Sequence, residues 1–198
     1  MPARPEDESG AVAECTDAEW GDARRTQRWL ELTTVFAHRP GASLPEACGD
    51  RARLKAAERF VDQEAIDPQA ILESPVRATS DRLAQGPRVL AVQETTERDG
   101  TAHPATTGLG PLAHPAHPGL LVPTTRALPP ERLPWGRRAQ QVWARDPATS
   151  GQRTTRQQRP IAATERQQWL TSVAAVREAP TRGPQTHWVC IGARAADG

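Results

Sequence analysis

The chain is 198 residues long with a formal net charge of +1. That leaves room for one large domain, or a small one plus a medium one, and gives no global electrostatic signature of a nucleic-acid binder. Leu, Ile, Val and Phe number 31, about 16% of residues against roughly 20% in well-packed chains, and 19 prolines and 14 glycines further limit regular structure, so the composition excludes a large core and predicts islands of fold joined by loose segments.

No apolar stretch approaches the roughly 18 residues of a membrane span. The N-terminal MPARPEDESG is acidic and polar, unlike a signal peptide. Cys15, Cys48 and Cys190 lie far apart with no C-x-x-C pair, which argues against a disulfide framework or zinc site and for a reducing, cytoplasmic setting. Basic residues are 24 arginines and the single Lys55, so a basic patch has to be argued from placement rather than number.

In chain order, residues 1–14 are expected to be disordered. In TDAEWGDARRTQRWLELTTVFAHRPG, Thr16 and Glu19 fit a capping box, Trp29, Leu32, Val35 and Phe36 recur at helical spacing, and Pro40-Gly41 ends the helix. Ser43 with Glu46 forms a second box, broken at Cys48-Gly49-Asp50, and Leu54, Ala57, Phe60 and Val61 make the stripe of a further helix. Asp67 as N-cap with Pro68 at the first helical position opens another. Residues 15–86 therefore read as a small helical unit. From Pro87 the texture changes. RVLAVQETT reads as a buried strand ending in polar residues, 119–128 and 133–145 as a hairpin joined through Pro129-Pro130-Glu131, 146–160 as a basic loop, 164–176 as a helix and 186–193 as a last strand. The helical unit followed by three strands, a helix and a strand predicts an α/β (α+β) layout for the chain.

Three groups of residues carry candidate chemistry. Arg24, Arg25 and Arg28 fall within little more than a helical turn, and Lys55 and Arg59 repeat the i,i+4 spacing on a later helix. Such placement suits phosphate contact through charge-assisted hydrogen bonds, and equally a solvated face in an arginine-rich chain. His103, His114 and His117 sit in TAHPATTGLGPLAHPAHPG. His114 and His117 are conceivable metal ligands, but each precedes a proline and no carboxylate sits alongside in sequence, so incidental loop histidines are the plain reading. Glu94, in VLAVQETTERDG, would be placed by its strand either as a metal ligand or as a solvated terminus. Two-metal nucleotidyl transfer needs carboxylates converging from separate strands.

The segments WGDARRTQRWLEL, PGASLPEACGDRARLKAAERFV, VLAVQETTERDGTAHPATTGLGPL, GLLVPTTRAL, LPWGRRAQQVWARDP and WVCIGARAAD resemble, in this order, bacterial insertion-sequence transposases of the Tn-five-like, IS-four type with an Asp-Asp-Glu triad. The resemblance runs from about Trp20 to the C-terminus. It implies an N-terminal helical domain that binds double-stranded DNA at the transposon end, with Gly21 to Arg28 in contact. It also implies a ribonuclease-H-like core that cuts and rejoins DNA with Mg²⁺. The first catalytic carboxylate of such proteins aligns with Glu94 in Gln93-Glu94-Thr95-Thr96, one methylene longer than the usual Asp. The second aligns with Ala193, which cannot bind metal, and the chain stops before the third.

Pro123 falls in a strand that should pair on both sides, and Arg126, Arg137 and Arg138 stand where such proteins carry leucine-like residues, which predicts buried, unpaired guanidinium groups at a cost of several kcal/mol. Arg51 and Glu58 stand where the resemblance implies aromatic residues. The expectation is a truncated, catalytically silent, monomeric copy that keeps a helical DNA-binding domain over 15–86 and the first part of an incomplete ribonuclease-H-like sheet over 87–198. The alternatives are a DNA-binding fragment that interferes with an intact transposase and a remnant too weakly cored to fold.

Overall fold

A computed structural model describes residues 10–18, 20–83, 87–114, 116–130, 133–149, 165–178 and 186–192. The chain divides into two compact units, Met1–Ala78 and Thr79–Gly198. Helices come first and a mixed sheet with helices follows, the α+β class that the element pattern predicts.

The first unit contains α1 (Ala23–His38), α2 (Leu44–Cys48), α3 (Arg51–Val61) and most of α4 (Pro68–Leu83). Gly21 turns the chain at φ 67, and Asp22 then caps α1 by accepting from the Arg24 amide at 2.7 Å. The expected box at Thr16 therefore does not start this helix: the Thr16 hydroxyl donates to the Ala13 carbonyl at 3.0 Å, and Glu19 lies outside the described residues. The second box forms, with the Ser43 amide donating to Glu46 at 3.4 Å. Gly49, left-handed at φ 73, ends α2, and Asp50 starts α3 by accepting from the Arg53 amide at 2.8 Å. Asp67 caps α4 through the Gln69 amide at 2.8 Å. Pro75 sits inside α4, where it removes one helical donor. Residues 10–13, within the stretch whose composition marks it as disordered, are helical. The Ser74 hydroxyl donates to the Glu14 carbonyl at 3.0 Å and Cys15 is buried, which ties this segment down.

An aromatic triad holds the unit together. Trp20 meets Trp29 and Phe60 edge-on, at 5.9 and 5.6 Å between ring centroids, and Trp29 stacks on Phe60 at 6.1 Å. Each such pair adds about 0.5–1.5 kcal/mol beyond the area it buries. Leu32, Cys48, Ala57 and Ile66 complete the core, whereas Phe36, placed on the apolar stripe by spacing, is 39% exposed.

Among the described residues the second unit is a five-stranded sheet with β1 (Arg88–Asp99), β2 (Gly110–Pro111), β3 (Pro118–Leu128), β4 (Gly136–Gln140) and β5 (His187–Ile191), plus a 3-10 turn at Pro147–Thr149 and helix α5 (Glu165–Glu178). β3 pairs antiparallel with β1 on one side and with β2 and β4 on the other, and β5 lies parallel to β1. A parallel neighbour needs a crossover, and α5 lies between β4 and β5 in the chain. The face of β1 bearing Ala91 and Gln93 meets Trp169, Ser172, Val173 and Val176 of α5.

Pro123 sits within β3 opposite Thr95. Its carbonyl accepts from the Gln141 amide at 3.0 Å, so the donor it lacks is on the β4 side. There the ladder stops at Gln140 and resumes only as the bridge between Leu121 and Trp143. β4 is accordingly shorter than the 133–145 strand that the sequence suggests. Gly136, at φ 147, allows a close approach: a Cβ there would stand 2.2 Å from the Thr79 hydroxyl.

Candidate nucleic-acid interface

In the first unit, helix capping and the aromatic core decide which basic side chains stay available. Arg25 is spent internally, its Nε donating to Gln63 and its Nη1 to the Trp20 carbonyl, both at 3.1 Å. Arg28 is held by Glu31 at 2.5 Å, one helical turn on. Arg24 is exposed, and its side chain has no partner among the described residues. The three arginines that sequence spacing groups together thus divide into a structural tie, an ion pair and an open cation.

α3 is different. Ala57 and Phe60 face the core, which turns Arg51, Lys55 and Arg59 outward. They recur every four residues, so they form one line about 12 Å long at 1.5 Å per residue. All three are exposed and have no acidic partner among the described residues. Arg53, off this line, is engaged by Asp50 at 3.4 Å. The sequence spacing pairs Lys55 with Arg59, and the same i,i+4 step reaches back to Arg51, whose charge reads in the sequence as the loss of an aromatic residue. The Arg25–Gln63 bond brings the N-terminal end of α1 beside the C-terminal end of α3, so Arg24 and Arg59 lie toward the same end of the unit.

In the second unit, Glu94 is not at a strand end. β1 continues to Asp99, and Glu94 stands in its middle on the face opposite Ala91 and Gln93. Its carboxylate is 3.3 Å from Arg126 Nε, and both side chains are 55% exposed. Arg126 is therefore neither buried nor unpaired, contrary to the sequence expectation, because it lies diagonally across from Glu94 on the open face. Arg137 also has a partner, Gln140 at 2.8 Å. Arg138 does meet the expectation. It is 2% exposed, donates once to the Ser80 hydroxyl at 2.7 Å and lies 5.9 Å over the Trp188 ring. Its Nε and Nη2 have no partner among the described residues, and burial pushes the guanidinium below its ordinary value. β5 ends opposite Val92, and Ala193 lies outside the described residues. No described group of three or more His, Cys, Asp or Glu side chains is arranged to hold a metal ion.

A compact helical unit with an unpaired basic line on one outer helix face has the architecture of a small DNA-binding domain. More particularly, residues 7–66 match the transposase DNA-binding family, a span that contains α1, α2 and α3 and the whole Arg51–Lys55–Arg59 line. The match supports a transposase-family protein with a DNA-binding role. No curated protein matches the chain, and no described helix is long and apolar enough to cross a membrane.

Proposed function

We propose that this chain is a duplex-DNA-binding protein that occupies transposon ends through its N-terminal helical unit and does not cut DNA. The observation that carries the reading is the line of Arg51, Lys55 and Arg59 on α3, exposed, of one sign and inside the family match. Three cations on one helix edge suit a run of backbone phosphates, with Arg24 as a fourth contact. Arg25 and Arg28 support the interface indirectly, by holding α1 in place and by pairing with Glu31.

The antiparallel β1, β3 and β4, followed by α5 and a parallel β5, support a ribonuclease-H-like reading of the second unit. Mg²⁺ is what that reading implies, and the residues here do not fit it. The one aligned carboxylate, Glu94, is already engaged by the guanidinium of Arg126, and the second aligned position is Ala193. Two cations about 3.5–4 Å apart need several converging oxygens, and an arginine beside the single carboxylate opposes a dication there. A DNA-binding chain without chemistry would compete with an intact transposase for the same ends.

The test is a fluorescence-anisotropy titration of a labelled transposon-end duplex across a range of salt. Binding should fall steeply with salt. The triple variant Arg51→Ala/Lys55→Ala/Arg59→Ala should bind at least about tenfold more weakly, with a log–log salt slope shallower by about 2.7. Equal binding by parent and triple variant would remove the α3 interface. Mg²⁺-dependent nicking of the duplex that disappears in Glu94→Ala would overturn the assignment as a non-cutting protein.

A further inference from the structure

The loop between β2 and β3 gathers residues that the sequence keeps apart. The His117 amide donates to the His114 carbonyl at 2.9 Å, and the Leu112 amide to the His117 carbonyl at 3.0 Å. This closed turn sets the two imidazoles 4.7 Å apart between centroids, at an interplanar angle of 48°. Asp99, at the end of β1, places its Oδ2 3.1 Å from His117 Nδ1. Its other oxygen accepts from the Thr101 hydroxyl and from the Thr101 amide, the latter at 2.8 Å. The carboxylate missing beside these histidines in sequence is therefore supplied from 18 residues upstream.

We propose that His114 and His117 form an open two-histidine site for a borderline transition-metal dication of the Zn²⁺ type, with Asp99 orienting His117 and water filling the remaining positions.

With Asp99 Oδ2 3.1 Å from His117 Nδ1, the ring proton is favoured on that nitrogen and Nε2 is left with its lone pair. Neither His117 Nε2 nor either ring nitrogen of His114 has a hydrogen-bond partner among the described residues. A dication about 2.0–2.1 Å from one nitrogen of each ring lies about 3.2 Å from each centroid, and two centroids 4.7 Å apart then subtend about 95° at the metal, within the range such ions accept. Both histidines are exposed, which keeps the site accessible. With only two protein ligands the bound ion exchanges readily.

The test uses the full chain, stripped with a chelator and titrated with ZnCl₂ by calorimetry, with imidazole ¹⁵N spectra recorded alongside. One equivalent should bind, moving the ring signals of His114 and His117 and leaving those of His38, His103 and His187 in place. His114→Gln or His117→Gln should each weaken binding at least tenfold, with His103→Gln as the unaffected control. Asp99→Asn should weaken it by a smaller factor. The proposal is overturned if the parent binds no Zn²⁺ at millimolar concentration, if the shifts appear at other histidines, or if binding survives in the double variant or is lost in Cys190→Ser instead. The ring spectra of the parent decide the matter even if a variant misfolds.

Discussion

The two units meet the same shortage of apolar residues in different ways. The first gathers Trp20, Trp29 and Phe60 into one cluster, and among the described residues its buried side-chain polar atoms without partners are the indole N–H groups of Trp20 and Trp29. The second spreads Val89, Ala91, Leu121 and Ala127 along a sheet, with Val176 of α5 against it, and buries Gln93 Oε1, Thr125 Oγ1 and two guanidinium nitrogens of Arg138 without partners. A buried neutral donor costs about 1–3 kcal/mol when unpaired, and a buried charge more. Aromatic mass therefore lets a small helical unit keep its cations outside, whereas the sheet unit carries one of its own in the core.

The largest effect should come from breaking the aromatic cluster. Phe60→Ala is expected to cost about 3–5 kcal/mol, a large part of the 5–15 that holds an ordinary domain together. Its sharper consequence is functional. Thermal unfolding followed by tryptophan fluorescence should show the first transition lost or moved far down, and duplex binding should go with it. A Phe60→Ala chain that still binds DNA like the parent would place the interface outside the first unit.

In the sheet unit the corresponding break is steric. Gly136→Ala puts a methyl 2.2 Å from the Thr79 hydroxyl on a backbone that disfavours side chains. It should destabilise by about 1–3 kcal/mol with DNA binding unchanged. Loss of binding at unchanged stability would show that the two units do not divide function as proposed. Arg138→Met tests the buried charge with the opposite sign. An apolar side chain of similar length removes the desolvated guanidinium, so the chain should be unchanged or more stable by about 1–2 kcal/mol in chemical denaturation. A loss of more than that would mean the Ser80 bond and the Trp188 contact outweigh the desolvation.

These sites differ in how far the sequence reveals them. The Ser43–Glu46 box, the Asp67-Pro68 start and the order of strands are local patterns, and they are legible because capping and alternation act within a few residues. The start of α1 is not legible in the same way, because two capping signals compete and Gly21, with its positive φ, favours Asp22. The length of β1 exceeds what the sequence suggests because polar residues suit an antiparallel strand with one open face as well as they suit its end. The separate fates of Arg24, Arg25 and Arg28 depend on Gln63, the Trp20 carbonyl and Glu31, and only folding joins the first two of these partners to the helix. Asp99 and His117 meet for the same reason, across a turn that no spacing rule encodes.

The smallest predicted effect separates stability from binding within one residue. Asp50 caps α3 through the Arg53 amide, and its other oxygen pairs with the Arg53 side chain, just before the Arg51–Lys55–Arg59 line begins. As a cap it stabilises the helix, and as a charge it opposes an incoming phosphate. Asp50→Asn keeps an oxygen that can accept from the Arg53 amide and removes the charge, so stability should change by no more than a few tenths of a kcal/mol, about as little as the measurement resolves. Duplex binding at low salt should tighten, and the gain should shrink as salt screens it. Asp50→Ala loses the cap as well and should cost about 1 kcal/mol. If Asn and Ala variants tighten binding equally while only the second loses stability, the carboxylate acts on DNA through charge alone. If neither changes binding, α3 does not present its N-terminal turn to the duplex, and the contact must run through Lys55, Arg59 and Arg24.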